Sequence, residues 1–559
     1  MVPWCCDGSP AAWCARGDSC WPTAAELQAL ELDLAPQADR SLHWPGGDAP
    51  YPLPVPDDSP GGQPLYGMSQ NLRPLYVQDA SEAAFGSCMP GENASDFCKQ
   101  STRNWPRVWS PAFIAWPLTS THVQRLIKFA SKHRLCVGVA GTGHDFLNRH
   151  SCDQGLFIRT TLMKEIQWNL YGNNAWGHAD GTVRLGPGLT FTEIQKSGSE
   201  QPRKSFVASG WCPTVGIIGW STGGGHGPYG RSKGLGVDNI LEVELVTGDG
   251  TSVVANATTN ADLFWAIRGG GGSVWGVVTA ITVRAHAVPE RGITSVALQF
   301  IWDADDAGLE ELREVVQAYP DWALGLDARW SGVGVLVSSV GGESGGPQWS
   351  LNIAYVVLGG VDEMDLQNAV EQLVPTNCSS SFAQHVTHYE DAWGFAKGAS
   401  NVPPYNPAPI LNASSPLWNA IESSLIDEDT MKARFPEHVV SLFHGQKSTF
   451  SGTFFHDIPG GSTEPVTATS ISPGFRDATL LLEYPGSEEL SANTYFSESS
   501  YELPGASWKE RYWGKSNYQK LLSIKNEFDP HGLFWCHHCV GSDERDMKAD
   551  RRRLGDILV

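Results

Sequence analysis

The sequence predicts an α+β protein with more than one hydrophobic core. Three observations carry this. The chain has 559 residues, whereas a single core stops growing at roughly 250–300 residues. Helical and strand-like patterns alternate between about residues 106 and 288. From 289 to about 500, long strand-like runs alternate with helical ones, the pattern of an antiparallel sheet covered by helices on one face.

Residues 1 to about 105 are rich in Pro, Gly, Trp and Cys. Turn residues dominate there, with one helical patch at "TAAELQALELDL", so this stretch reads as an extension laid over the main body. Ser120 or Thr119 can cap the next helix, whose stripe is Val123, Leu126, Ile127 and Ala130. "LCVGVA" is a short buried strand leading into a glycine loop. "TVRLGPGLTFTEIQKSG" reads as strand then helix, and "NILEVELVTGDGTSVVA" as two strands around a Gly-Asp-Gly turn. "NADLFWAIRGGGGSVWGVVTAITVRAH" reads as helix, glycine loop and strand. "GITSVALQFIW", "QWSLNIAYVVLGG" and "DATLLLEY" are strand-like, while "AGLEELREVVQAY" and "DLQNAVEQLV" are helical. The tail helix, "NYQKLLSIKNEF", is stopped by Asp529-Pro530 and Gly532.

Composition excludes some partners. Formal net charge is -22, and such a surface repels phosphate backbones, so nucleic acid is not expected. No apolar run approaches the ~20 residues of a membrane helix. Twelve cysteines and four N-x-S/T sequons, at Asn93, Asn256, Asn377 and Asn412, point to an oxidising, extracellular setting. The N-terminus lacks the pattern of a signal peptide, so the expected leader is taken as removed.

The stretch "VGVAGTGHDFLNRHSC", Val137 to Cys152, concentrates the candidate chemistry. It begins as G-x-G but has Phe146 where a dinucleotide loop needs its third glycine. "GGGHGP" fails in the same way at Pro228. Even so, three glycine clusters adjoin strands: Gly141/Gly143, Gly223–Gly225 and Gly269–Gly272. Glycine lets backbone amides approach an anion closely, and three clusters in one domain suit a large phosphate-bearing ligand. Any one of them alone reads as a tight turn. His144 and His150 are six apart, wrong for one helix face, and "CHHC" has no second Cys pair, so no metal is expected. There is no G-x-S-x-G elbow. Cys212 between Trp211 and Pro213 reads, by itself, as buried packing.

Together these segments resemble the berberine-bridge-enzyme-like flavoproteins of the vanillyl-alcohol-oxidase superfamily. The resemblance rests on "GTGHDF", "GWCPTVGIIGWSTGGGHGPYGRSKGLGVDN", "NADLFWAIRGGGGSVWGVV", "PRVWSPAFIAWPLTSTHVQRLIKFA" and the segment from "TYFSESSYELPG" to "EFDPHGLF". It covers about 106 to 545 and is thin across 289–490. It implies a two-part PCMH-type FAD-binding domain, 106–288 plus a returning C-terminal segment 501–559, with an inserted α+β substrate domain at 289–500. Residues 1–105 look like the disulfide-rich extension of secreted fungal-type members.

The resemblance implies FAD bound covalently through His144, and through Cys212 as a second link if its thiolate attacks the flavin ring. A neutral imidazole is a nucleophile near neutral pH. The implied cofactor-binding set also includes Gly141, Thr142, Gly143, Asp145, Thr214, Val215, Gly216, Gly219, Gly223, Gly224, Gly225, Gly271, Gly276, Val278, Asn517 and Tyr518. Asp145 orients the imidazole or caps the loop. Val215 stands where small side chains go with oxidases. Trp220 stands where many members have a flavin-tuning histidine, a departure that bears on the redox potential. The catalytic candidates are Tyr495 and Glu498, the latter where plant-type members show tyrosine. The implied function is a secreted, monomeric FAD-dependent oxidase that turns an alcohol or carbohydrate C–OH into carbonyl or lactone and oxygen into hydrogen peroxide. The alternatives are a dehydrogenase or oxidative cyclase acting on a secondary metabolite, and a non-catalytic flavin-fold binding protein. His150 and Cys152 look structural, with Cys136 as a possible partner of Cys152.

Overall fold

The computed structural model describes residues 13–14, 18–34 and 42–43. From 113 to 543 it describes all but 146–148, 151, 153–154, 171–177, 273, 340–345, 375–380, 400–422, 445–449, 459–467, 485, 500–502 and 504–507. Cys5, Cys6, Cys88, Cys98, Asn93, Asn377 and Asn412 lie outside the described residues.

The helix Ser120–His133 starts at Thr119, whose Oγ1 accepts from the His122 amide at 3.2 Å. It ends at Arg134 in the left-handed conformation. The apolar stripe at 123, 126, 127 and 130 is fully buried, as an i, i+3, i+4, i+7 pattern requires. The strand Val137–Ala140 follows, parallel to Leu156–Arg159. The Cys136–Cys152 disulfide closes the loop between them. These strands belong to a four-stranded sheet, and a five-stranded antiparallel sheet, centred on Gly276–Arg284, lies beside it in the same core.

The chain returns to this core at Phe496 and with the helix Trp508–Phe528, through Tyr512, Trp513, Tyr518, Leu521 and Ile524. Asp529 turns it back: its carboxylate accepts from the Leu533 amide at 2.9 Å, the Phe534 amide at 3.0 Å and Lys525 Nζ at 2.8 Å. The Leu533 carbonyl then accepts from the Val137 amide at 2.9 Å, laying the tail along the strand that feeds the glycine loop. At the other end, the Cys14 amide donates to the Arg134 carbonyl at 2.9 Å, and Cys14 is disulfide-bonded to Cys20.

The second core sits under a seven-stranded antiparallel sheet. In spatial order its strands are Ser381–Tyr389, Ile293–Asp303, Gln348–Leu358, Trp330–Ser339, Phe450–His456, Leu480–Glu483 and Ser423–Ile426. The pleat sorts its side chains by parity. Leu336, Phe454, Leu480 and Leu482 pack towards the helices Asp306–Gly325 and Phe435–Phe443. Val333, Val335, Thr453, Phe455 and Glu483 face the other way, over a cavity shared with the first core. No helix among the described residues is long and apolar enough to cross a membrane.

Candidate active site

The cavity measures about 500 Å³. One wall is the loop 141–145 after the strand Val137–Ala140. Another is the segment 209–220, and the roof is the seven-stranded sheet. The far end is closed by Gly272, Val274, Phe534 and the disulfide-bonded Cys536 and Cys539.

Two loops far apart in sequence meet at one hydroxyl. Thr214 Oγ1 lies 3.0 Å from His144 Nε2 and 3.4 Å from Cys212 Sγ. Burial pushes the His144 imidazole down to about 4, so it is neutral in mildly acidic and neutral solution. Burial pushes the Cys212 thiol up, with hydrogen bonds from Thr214 and Val215 opposing. The thiolate expected for attack on a flavin ring is therefore not preformed. Cys212 is the free cysteine among the described residues.

The expected cofactor residues divide into two groups. Gly141, Thr142, Gly143, His144, Asp145, Cys212, Val215, Gly216 and Gly219 line the cavity. Gly223, Gly224, Gly225, Gly271, Gly276 and Val278 do not line it. Gly223, Gly224 and Gly271 instead pack directly against residues 495–497. A Cβ on Gly271 would sit 2.4 Å from the Phe496 ring. Two of the glycine clusters thus admit a protein segment closely, where sequence reasoning read an anion cradle. Asn517 and Tyr518 also lie outside the lining: Asn517 Nδ2 reaches the Ser470 carbonyl at 3.5 Å and Tyr518 donates to Asp543 at 2.5 Å. Of its two expected roles, Asp145 takes the cap: its carboxylate accepts from the Arg149 backbone amide at 2.5 Å and from Arg149 Nε at 2.8 Å. Arg149 also donates to the Phe496 carbonyl at 2.9 Å and lies over the Phe496 ring. His150, read as structural, is on the cavity wall and stacks on Phe157. Trp220 donates to the His226 carbonyl at 2.9 Å and stands edge-on to Phe191.

The wall formed by 495–498 and the roof carries a cluster of ionisable groups. His226 Nδ1 lies 2.8 Å from Asp457 Oδ2, and Nε2 lies 3.0 Å from Glu498 Oε2. Trp211 Nε1 donates to the same Asp457 oxygen at 2.6 Å. Carboxylate oxygens of Glu483 and Glu498 and a ring nitrogen of His226 all lie within 4.8 Å of one another. Burial, with the Glu498 charge, pushes the Glu483 carboxyl well above the usual carboxylate range. Burial acts on Glu498 in the same sense, but the His226 charge and the Glu483 hydrogen bond outweigh it and hold it low. Tyr495 accepts from the Gly225 amide at 3.2 Å, and burial beside Glu498 pushes its phenol up to about 12. Between the two catalytic candidates, Glu498 is the one able to accept a proton. His226, Asp457 and Glu483 were not singled out from the sequence. The available signals were a histidine inside the "GGGHGP" glycine run and a glutamate ending the apolar strand "LLLE".

The residues present fit an elongated cofactor. Gly219 lines the cavity, and a Cβ there would meet no protein atom within 4 Å. The wall is thus cut back where a ligand would press on it. A glycine-lined cavity with a neutral histidine at one wall and a carboxylate–imidazole cluster at another defines a cofactor-dependent enzyme class. Residues 111–256 match the family model described as FAD binding domain, and residues 476–541 the model described as berberine and berberine like. FAD-linked oxidoreductase easE of Epichloe festucae var. lolii is 42% identical over 78% of this chain and 75% of that protein. VAO-type flavoprotein oxidase VAO615 of Thermothelomyces thermophilus is 27% identical over 97% of this chain and 95% of its own. The crystal structure of VAO-type flavoprotein MtVAO713 from Myceliophthora thermophila C1 superposes with a TM-score of 0.70, at 20% identity, over 96% of this chain and 98% of that one. The chain belongs to the berberine-bridge-enzyme-like FAD-linked oxidoreductases of the vanillyl-alcohol-oxidase family.

Proposed function

We propose that the protein is a secreted FAD-dependent oxidase that converts a C–OH group of an alcohol or carbohydrate to a carbonyl, with oxygen as acceptor. The observation that carries this is that His144 and Cys212, on two walls joined at Thr214, line the same cavity as Glu498. FAD, when bound, supplies a two-electron acceptor for hydride. His144 is the main covalent attachment point, being buried and neutral; Cys212 is the second. Gly141–Gly143, Gly216 and Gly219 hold the cofactor's surface. Glu498 accepts the substrate's hydroxyl proton. Tyr495, protonated, fixes the Gly225 turn. Val215, on the cavity wall, leaves room for oxygen. Three disulfides among the described residues, Cys14–Cys20, Cys136–Cys152 and Cys536–Cys539, support an oxidising compartment.

A second reading, an oxidative cyclase or dehydrogenase of a secondary metabolite, is favoured by the aromatic side chains Trp211, Tyr229, Phe395 and Phe455 on the cavity wall. These suit a ring-bearing substrate as well as a sugar. The test is a panel of sugars, alcohols and aromatic metabolites, followed anaerobically by bleaching of the flavin, then aerobically by peroxide yield. Bleaching by a sugar or alcohol with one peroxide per turnover supports the oxidase. Bleaching without peroxide assigns a dehydrogenase, and a colourless purified protein overturns the flavoenzyme reading.

A further inference from the structure

Three carboxyl groups and one imidazole meet at the cavity wall, each from a different part of the chain. His226 comes from the glycine run, Asp457 from the end of the strand Phe450–His456, Glu483 from the neighbouring strand, and Glu498 from the returning segment. The side chains of Asp457 and His226 are almost wholly buried, at 0% and 5% exposure. Burying this many charges is costly unless they are paired, so the protonation pattern follows from the hydrogen bonds.

Indole N–H only donates, and Asp457 Oδ2 is met by both Trp211 Nε1 and His226 Nδ1, an arrangement that suits an ionised carboxylate. The same oxygen therefore accepts from His226 Nδ1. The His226 ring lies between two carboxylates, and although burial opposes its charge, Asp457 and Glu498 raise it well above the ordinary histidine range. Nε2 then donates to Glu498. Two buried carboxyl groups whose oxygens lie within 4.8 Å of each other are not both ionised without cost, and one of them holds a proton. Glu498 has the imidazolium as a direct partner at 3.0 Å, and Glu483 stands next to that pair. Other groups facing this cluster are Tyr495 on the returning segment, His456, Tyr355 and Tyr319 on the Asp457 side with Arg231 beyond them, and, behind Phe496, the mutually neutralising Arg149 and Asp145.

We propose that Asp457 and His226 are positioning residues for the base: they hold Glu498 as a carboxylate and leave Glu483 as the proton-bearing member of a glutamate pair. The inference rests on the reading of Glu498 as base. The proton that leaves the substrate hydroxyl converts Glu498 from carboxylate to acid. The arrangement keeps the base ionised in acidic surroundings, where an isolated buried glutamate would be protonated.

Isotope-edited infrared spectroscopy on the purified holoprotein, with labelled glutamate, tests this without any substrate. The wild type should show one buried carboxylic-acid C=O band that Glu483→Gln removes. In His226→Gln, and more weakly in the near-isosteric Asp457→Asn, a second glutamic-acid band should appear and titrate at higher pH between about pH 4 and about pH 8. Where a substrate is found, the acid limb of kcat/KM should move up in pH in both variants with KM changed less than twofold. An unchanged glutamate band pattern in both variants overturns the proposal. So does a stoichiometric metal ion in the purified protein, which would take the proton's place between His226, Glu483 and Glu498. A failed substrate panel with the expected bands would reject the oxidase reading and leave this one standing.

Discussion

His144 Nε2 and Thr214 Oγ1 lie 3.0 Å apart, joining two loops separated by 70 residues. The same hydroxyl touches Cys212, so one small side chain sets the direction of both attachment candidates.

Removing that hydroxyl without changing shape should therefore loosen both. Thr214→Val should fold normally and slow covalent flavin incorporation by about five- to tenfold, the worth of a hydrogen bond of ~1 kcal/mol. In-gel flavin fluorescence after denaturation measures this. His144→Ala should abolish most of the signal, and an undiminished signal would clear His144 of the role.

Arg149 is buried against Asp145 and carries the Phe496 carbonyl. Arg149→Ala leaves the half-buried Asp145 without its cation, at a cost of about 1–3 kcal/mol. It also frees the segment that bears Glu498. Denaturant unfolding should show the loss, and Arg149→Lys should recover part of it.

Gly219 faces open cavity. Gly219→Leu should leave the unfolding midpoint of flavin-free protein within about 0.5 kcal/mol of wild type. Its flavin-to-protein absorbance ratio should nevertheless fall severalfold. Equal flavin content in the two proteins would remove Gly219 from the cofactor surface.

His144 and His150 are both pushed down to about 4 by burial, from an ordinary value of 6.5. Between about 4 and 6.5 the unfolded chain binds protons that these two imidazoles refuse in the folded state. Stability should therefore fall as pH drops through that window. Thermal melts of flavin-free protein should show a declining midpoint below about pH 6.5, with a shallower slope in His150→Gln.

What the sequence disclosed was local. The Thr119 cap, the buried stripe from Val123 to Ala130 and the alternation of the long strands each depend on near neighbours in the chain. His144, Cys212 and Val215 stand out as candidates because short motifs carry them, and all three line the cavity. Asp457 and Glu483 were not, because they reach the cavity only when a strand 230–260 residues downstream is laid over His226. The glycine runs misled for a related reason. Glycine reports that something comes close; at Gly271 that something is Phe496, a residue no local pattern could place there.

The parity of the roof sheet has an evolutionary consequence. Residues such as Val333, Val335, Thr453 and Phe455 look onto the cavity, and neighbours such as Leu336 and Phe454 hold the helical layer. A substitution on one side of the pleat changes what the cavity accepts while the other side continues to fold. Descendants of this chain can drift in substrate preference one alternate residue at a time, without first surviving a loss of structure.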